Sequence, residues 1–121
     1  MRIYIAGPMA GIPDCNIGAF ARASFHFRER GHFVVNPVKV ARIYGTDREV
    51  AESFDTYNTR PDLPSAALAA RIVAAELDLL STCDAIYLLR GWENSVGARR
   101  ELAVALKKPS MIFMLEKENH E

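Results

Sequence analysis

The sequence predicts an α/β fold with a mainly parallel sheet, because short apolar segments alternate with segments of helical periodicity. The first apolar segment, residues 2–6, ends at Gly7-Pro8, as is typical of a buried strand followed by a loop. Residues 16–30 then show helical spacing, and a second apolar segment at residues 33–35 ends at a proline. Two strands flanking one helix indicate a β-α-β unit.

The second half of the chain continues this alternation as helix, strand, helix and strand, at residues 65–80, 84–89, 97–107 and 110–115. Ser65 is the expected N-cap of the first of these helices. Residues 38–65 show only weak periodicity, around residues 47–54. Because long irregular segments in compact domains are often functional, we expect an insert or lid at residues 38–65.

A doubly wound arrangement predicts where a ligand binds. Its simplest strand order places the first strand between the second and the third. The loops after the first and third strands, residues 7–16 and 90–97, then open onto one crevice.

Composition indicates one globular domain over residues 1–121, since half of the residues are hydrophobic and a quarter are charged. The 15 basic and 15 acidic residues cancel, so nucleic-acid polymers and acidic membranes are not expected partners. No apolar segment approaches the length needed to span a bilayer, and the chain does not begin like a secretory signal. We therefore expect a cytoplasmic protein.

The cysteines and histidines do not predict a metal centre. Cys15 and Cys83 lack a C-x-x-C spacing and are interpreted as reduced, structural thiols. His26, His32 and His120 have no zinc-ligand spacing. The glycine-containing turn after the first strand lacks both the dinucleotide and the P-loop patterns, so we expect no bound metal and no cofactor.

The loop after the third strand, R-G-W-E-N-S-V-G, leads into a helix whose N-terminus suits a phosphate or a developing anion. Ser95 is a candidate ligand there, but Ser95 or Asn94 also suits a simple N-cap. Glu101 lies in the early turns of this helix, where acidic residues are common because they complement the helix dipole.

Glu76 falls at the centre of the apolar face of the helix at residues 65–80. A carboxyl group in that place is protonated, paired with an arginine or exposed to a crevice. Tyr4, in the first strand, is either a core residue or a hydroxyl donor to a carboxylate in the crevice. Trp92 is either an interface anchor or a stacking surface for a base.

Three segments resemble the nucleoside 2-deoxyribosyltransferase superfamily, which includes 2'-deoxynucleoside 5'-phosphate N-hydrolases. They are I-Y-I-A-G at residues 3–7, E-L-D-L-L-S-T-C-D-A-I at residues 76–86 and S-V-G-A-R-R-E-L at residues 95–102. The phage-associated branch is the most similar, through I-A-G-P-M-A-G-I-P-D and L-L-R-G-W-E-N-S-V-G-A-R-R-E-L. The resemblance covers most of the chain outside residues 38–65.

The resemblance implies a flavodoxin-like, doubly wound sheet of four to five strands with helices on both faces, in a homo-oligomer. It implies cleavage of the N-glycosidic bond of a (deoxy)nucleoside or its 5'-monophosphate, with hydrolysis or transfer to another base. Glu101 matches the glutamate nucleophile and Tyr4 the tyrosine that orients it. Glu76 matches an aspartate that assists the leaving base, and Ser95 a serine that contacts phosphate.

Two departures from the family pattern affect phosphate recognition and the acid. Family hydrolases carry a serine and, two residues later, an arginine where this chain has Pro8 and Ala10, and Glu76 is one methylene longer than aspartate. A non-catalytic nucleotide-binding or scaffold protein of the same fold is therefore the alternative function. The residues predicted to contact substrate are Gly7, Pro8, Met9, Trp92, Asn94, Ser95 and Gly97.

Overall fold

The computed structural model describes residues 1–9 and 12–117. Within them the sheet is formed by β1 (Arg2–Ala6), β2 (Phe33–Val35), β3 (Ala85–Leu88) and β4 (Ile112–Leu115). All pairs are parallel, and the order is β2-β1-β3-β4, as predicted. Ala10, Gly11 and His120, on which sequence predictions were made, lie outside the described residues.

Five α-helices within the described residues flank this sheet, which confirms the flavodoxin-like, doubly wound α/β fold. They are α1 (Ile17–Glu29), α2 (Pro37–Tyr44), α3 (Asp47–Thr59), α4 (Ala67–Ser81) and α5 (Val96–Ala105). None of the helices in this part of the chain is both long and apolar enough to cross a membrane.

The alternation of side chains along β1 assigns its residues to two cores. Ile3 and Ile5 belong to the core that contains Phe20 of α1. Tyr4 belongs to the opposite core, with Leu80 of α4. Since successive strand residues point to opposite faces, one five-residue strand supplies both layers. The polar hydroxyl of Tyr4 is thereby directed to the α4–α5 side.

The prediction of an irregular segment at residues 38–65 was wrong in its secondary structure, because α2 and α3 occupy most of it. Local capping supports both helices. The Asn36 side chain accepts a hydrogen bond from the Val38 amide (3.0 Å), and Thr46 and Glu49 form a reciprocal capping box at the start of α3. A role of this segment as a lid stays a prediction.

The predicted N-cap at Ser65 was also wrong. Residues Pro64–Ala66 form a 3₁₀ turn, and α4 begins after them without a side-chain cap of its own. The hydroxyl of Ser53, on α3, instead accepts from the Ala69 amide and donates to the Ser65 carbonyl, both at 2.8 Å. A residue from another helix thus satisfies the first turn of α4.

Gly7 marks the place where the chain leaves β1, and the close approach of buried Leu89 excludes a side chain there. A Cβ added at Gly7 would lie 2.7 Å from the Leu89 Cβ. We expect Gly7→Ala to lower the free energy of unfolding by about 1–3 kcal/mol, because Leu89 is packed and the backbone must shift.

Urea unfolding measures this effect, with Gly97→Ala as the matched control. A Cβ added at Gly97 meets nothing within 4 Å. Because alanine favours helix over glycine, that variant should be neutral or stabilised by up to about 1 kcal/mol. A Gly7→Ala protein as stable as the parent would show that the Leu89 contact relaxes without cost.

Candidate active site

The loops after β1 and β3 meet at one cavity of about 340 Å³. Gly7, Pro8 and Met9 line it from the first loop, and Asn94, Ser95 and Gly97 line it from the second loop and the start of α5. This is the crevice beyond the carboxyl ends of β1 and β3, where doubly wound folds bind ligands. Its size falls in the range of small-molecule sites.

The segment at residues 38–65, which the sequence predicted to be an insert or lid, supplies part of the lining of this cavity. Phe54, Asp55 and Asn58 of α3 are among its lining residues, together with Val38 and Ala41 of α2. The wall combines an aromatic ring with polar groups. An apolar cavity with a few convergent polar side chains is the usual form of a specific binding site.

Tyr4 and Glu101 are joined across the interior of the protein. The Tyr4 hydroxyl donates a hydrogen bond to Oε2 of Glu101. Tyr4 is fully buried, and Glu101 lines the cavity with 9% of its surface exposed. The bond fixes one carboxylate oxygen and leaves the other to the cavity. Burial and the neighbouring carboxyl groups raise the pKa of Tyr4 well above its usual value, so it remains a donor.

Glu76 is buried, as its position on the apolar face of α4 predicted, and it lines the same cavity. Burial, followed by the charge of Glu101, raises the pKa of Glu76 from 4.5 to about 9, and the charge of Arg100 opposes this shift. A carboxyl group with that pKa carries its proton at neutral pH. Glu76 is therefore able to act as an acid.

Burial also raises the pKa of Glu101, from 4.5 to about 7, but the Tyr4 hydrogen bond and the charge of Arg100 oppose the effect. Glu101 is thus the carboxyl group of the pair that ionises first. Neighbouring carboxyl groups whose surroundings separate their pKa values are suited to opposite roles, one as a base or nucleophile and one as an acid.

Arg100 was not among the residues predicted for the site, although it lines the cavity beside Glu101. Its guanidinium carbon lies 5.2 Å from the ring centroid of Tyr57 in α3. Helical spacing carried a signal for it, since Arg100 is three residues after Gly97 and shares its face. Arg99, which the spacing places on another face, is exposed.

Two of the predicted binding residues have structural roles. Ser95 is the N-cap of α5, because its hydroxyl oxygen accepts from the Ala98 amide at 3.1 Å. The capping alternative is thus correct, and the hydroxyl proton remains able to bond a ligand. Trp92 is not among the described residues that line the cavity, and its half-buried ring packs against the core on the α5 side.

Metal-ligating groups do not cluster in the site. In residues 1–9 and 12–117, no three His, Cys, Asp or Glu side chains lie close enough to share an ion. Cys15 is half-buried and Cys83 buried, and both are free thiols.

Residues 1–114 match the family described as Domain of unknown function (DUF4406). The chain belongs to this family. No curated protein and no solved structure matches the chain. The family spans β1 to β4 and includes every element that lines the cavity.

Proposed function

We propose that this protein cleaves the N-glycosidic bond of a (deoxy)nucleoside or its 5'-monophosphate, with Glu101 as the nucleophile. The observation that carries the proposal is the pair of buried carboxyl groups that line one cavity. Glu101 is held by Tyr4, and its pKa of about 7 lies below that of Glu76, at about 9. This separation fits a two-carboxyl glycosidase mechanism.

In the first step, an Oε of Glu101 attacks the anomeric carbon as the bond from that carbon to the base nitrogen breaks. The bonding electron pair leaves with the base, and Glu76 supplies the proton that neutralises it. The product is a sugar joined to Glu101 by an ester bond. The Tyr4 hydroxyl holds Glu101 in place for the attack.

In the second step, water or another base attacks the same carbon and breaks the ester bond. Glu76, now a carboxylate, accepts the proton of the attacking group, so both carboxyl groups return to their starting state. Water gives the free sugar and completes a hydrolysis. Another base gives a new nucleoside and completes a transfer.

The resemblance of residues 3–7, 76–86 and 95–102 to the nucleoside 2-deoxyribosyltransferase superfamily supports this proposal. Those segments supply Tyr4, Glu76 and Glu101, which the folded chain brings to one cavity or its wall. The aromatic ring of Phe54, which lines the same cavity, offers an apolar surface for a base.

Incubation with a panel of nucleosides, their 5'-monophosphates and NAD tests the proposal, with released base measured by chromatography. Release from at least one nucleoside or monophosphate is the expected result. A protein that binds panel members without releasing base would instead favour the non-catalytic nucleotide-binding alternative.

Activity should depend on pH as a bell-shaped curve. Since Glu101 must be ionised, kcat/KM should rise as pH increases through about 7, and since Glu76 must be protonated, it should fall as pH passes about 9. Initial rates across this range measure the curve. Glu76→Gln should lose the alkaline limb, and a parent profile that is flat across both values would contradict the assignment of the two groups.

Self-association, which the sequence predicts through an apolar helical contact, stays a prediction, and the edge strand β4 offers another surface for it. Phe113 and Leu115 are 43% and 62% exposed, and the outer edge of β4 has no neighbouring strand within the described residues. An apolar open edge favours pairing with a second copy. We expect sedimentation velocity at micromolar concentration to show a dimer or larger species, and a lone 13.5 kDa species would argue against it.

A further inference from the structure

Acidic side chains outnumber basic ones among the described residues that line the cavity. The charged side chains of this set are Asp47, Asp55, Glu76, Arg100 and Glu101. Arg100 is the one cation of this set. Asp47 already has a partner in Arg42, whose Nε lies 3.0 Å from Oδ1 of Asp47. Arg100 is therefore the cation that faces the remaining carboxyl groups.

The position of Arg100 is determined by a contact between two distant parts of the chain. Its guanidinium lies 5.2 Å from the centroid of the Tyr57 ring, which belongs to α3, the helix that also supplies cavity residues. A flat guanidinium stacks on an aromatic face in a way that the ammonium of a lysine does not reproduce. Tyr57 is itself half-buried, so its ring is a packed support.

We propose that Arg100 is a positioning residue that keeps Glu101 ionised beside the protonated Glu76, and that the Tyr57 ring holds its guanidinium in place. The inference rests on the proposed function of the carboxyl pair. A nearby cation favours the charged form of a carboxyl group, and the buried surroundings of Glu101 favour the neutral form. The Tyr4 hydrogen bond and then the charge of Arg100 limit the rise to about 7, so without Arg100 the pKa of Glu101 should rise further.

Titratable and charged groups from several elements share the cavity with Glu101 or contact it. These are Tyr4 from β1, Cys15 from the first loop, Asp47 and Asp55 from α3, Glu76 from α4 and Arg100 from α5. Arg100 lowers the pKa of both Glu76 and Glu101, whereas no other residue of the set supplies a positive charge. Removing it should therefore move both titrations to higher pH.

The test compares Arg100→Gln, Arg100→Lys and Tyr57→Leu with Arg99→Gln, a control at an exposed position outside the cavity lining. The readouts are the pH profile of kcat/KM and the titration of the ¹³C-labelled Glu101 carboxyl by NMR. Arg100→Gln should raise the pH at the midpoint of the Glu101 titration. For each pH unit of this shift, kcat/KM should fall about tenfold on the acid limb of the profile and change little at the optimum. Arg100→Lys and Tyr57→Leu should shift it less, and Arg99→Gln should match the parent.

Three results would overturn the inference. An equal loss of kcat/KM at every pH would assign Arg100 a structural role. A loss confined to 5'-monophosphates would make it a phosphate ligand. An unchanged Glu101 midpoint in folded Arg100→Gln would remove the charge effect altogether. The NMR titration does not require turnover. If the parent protein releases no base but Arg100→Gln still raises the Glu101 midpoint, the proposed reaction is refuted and the effect of Arg100 on Glu101 is kept.

Discussion

Replacing Glu101 with glutamine should abolish base release, with a loss on the order of 10³-fold or more in kcat, while ligand binding is kept. Glutamine preserves the shape of the side chain and accepts the Tyr4 hydrogen bond. It lacks the negative charge that stabilises and captures an oxocarbenium-like carbon. Since that charge matters most when the bond breaks, the transition state loses more than the bound ground state.

Released base and calorimetric binding of the same substrate measure the two parts of this expectation. Glu93→Gln is the matched control, because Glu93 is exposed and lies outside the cavity lining. Burial raises the folded pKa of Glu101 above its unfolded value, so ionisation of Glu101 lowers parent stability as pH rises from 4.5 to about 7, and the loss is complete above that range. The Glu101→Gln protein should then be at least as stable as the parent at about pH 8. A folded variant that binds and still releases base at the parent rate would refute the nucleophile.

Replacing Glu76 with glutamine should give the second largest loss, about 10²-fold or more for a base that leaves with difficulty. At neutral pH the Glu76 carboxyl is uncharged, so glutamine resembles it in charge and size but supplies no proton. The loss should depend on the leaving group. A nucleoside of a 7-methylated purine, whose base departs without protonation, should be cleaved at nearly the parent rate.

The ratio of rates on the unmodified and methylated substrates separates acid catalysis from damage to the fold. Asp78→Asn serves as the control, since Asp78 lies on the same helix with an exposed side chain. If Glu76→Gln slows both substrates equally, the proton-donor role is excluded. If it slows neither, Glu76 has no part in the chemistry.

The sheet was predictable from the sequence because its strands are short apolar segments ended by glycine, proline or a helix start. The burial of Glu76 was predictable for a related reason, since helical spacing places it on an apolar face. The helices α2 and α3 were missed because this segment was interpreted without its capping residues, although α3 has 13 residues, as many as α1. Their capping residues, Asn36 and Thr46 with Glu49, carried a signal that hydrophobic spacing did not.

The contacts that were missed at the site join elements that are distant in the chain. Arg100 meets Tyr57 only because α3 packs beside the cavity, and Trp92 turns toward the core. Ser53 replaces the predicted cap Ser65 because two helices come together. In each case the partner lies in another element, and the local sequence is compatible with several partners.

The two hydrogen bonds of Ser53 also couple the movements of α3 and α4. If α3 swings away to admit a ligand, either the Ala69 amide and the Ser65 carbonyl lose their partner or the first turn of α4 follows α3. Glu76 lies two turns further along α4. If α3 moves as a lid, the cavity wall and Glu76, the proposed proton donor, should therefore move together, and the return of α3 should restore both the enclosure and the position of Glu76.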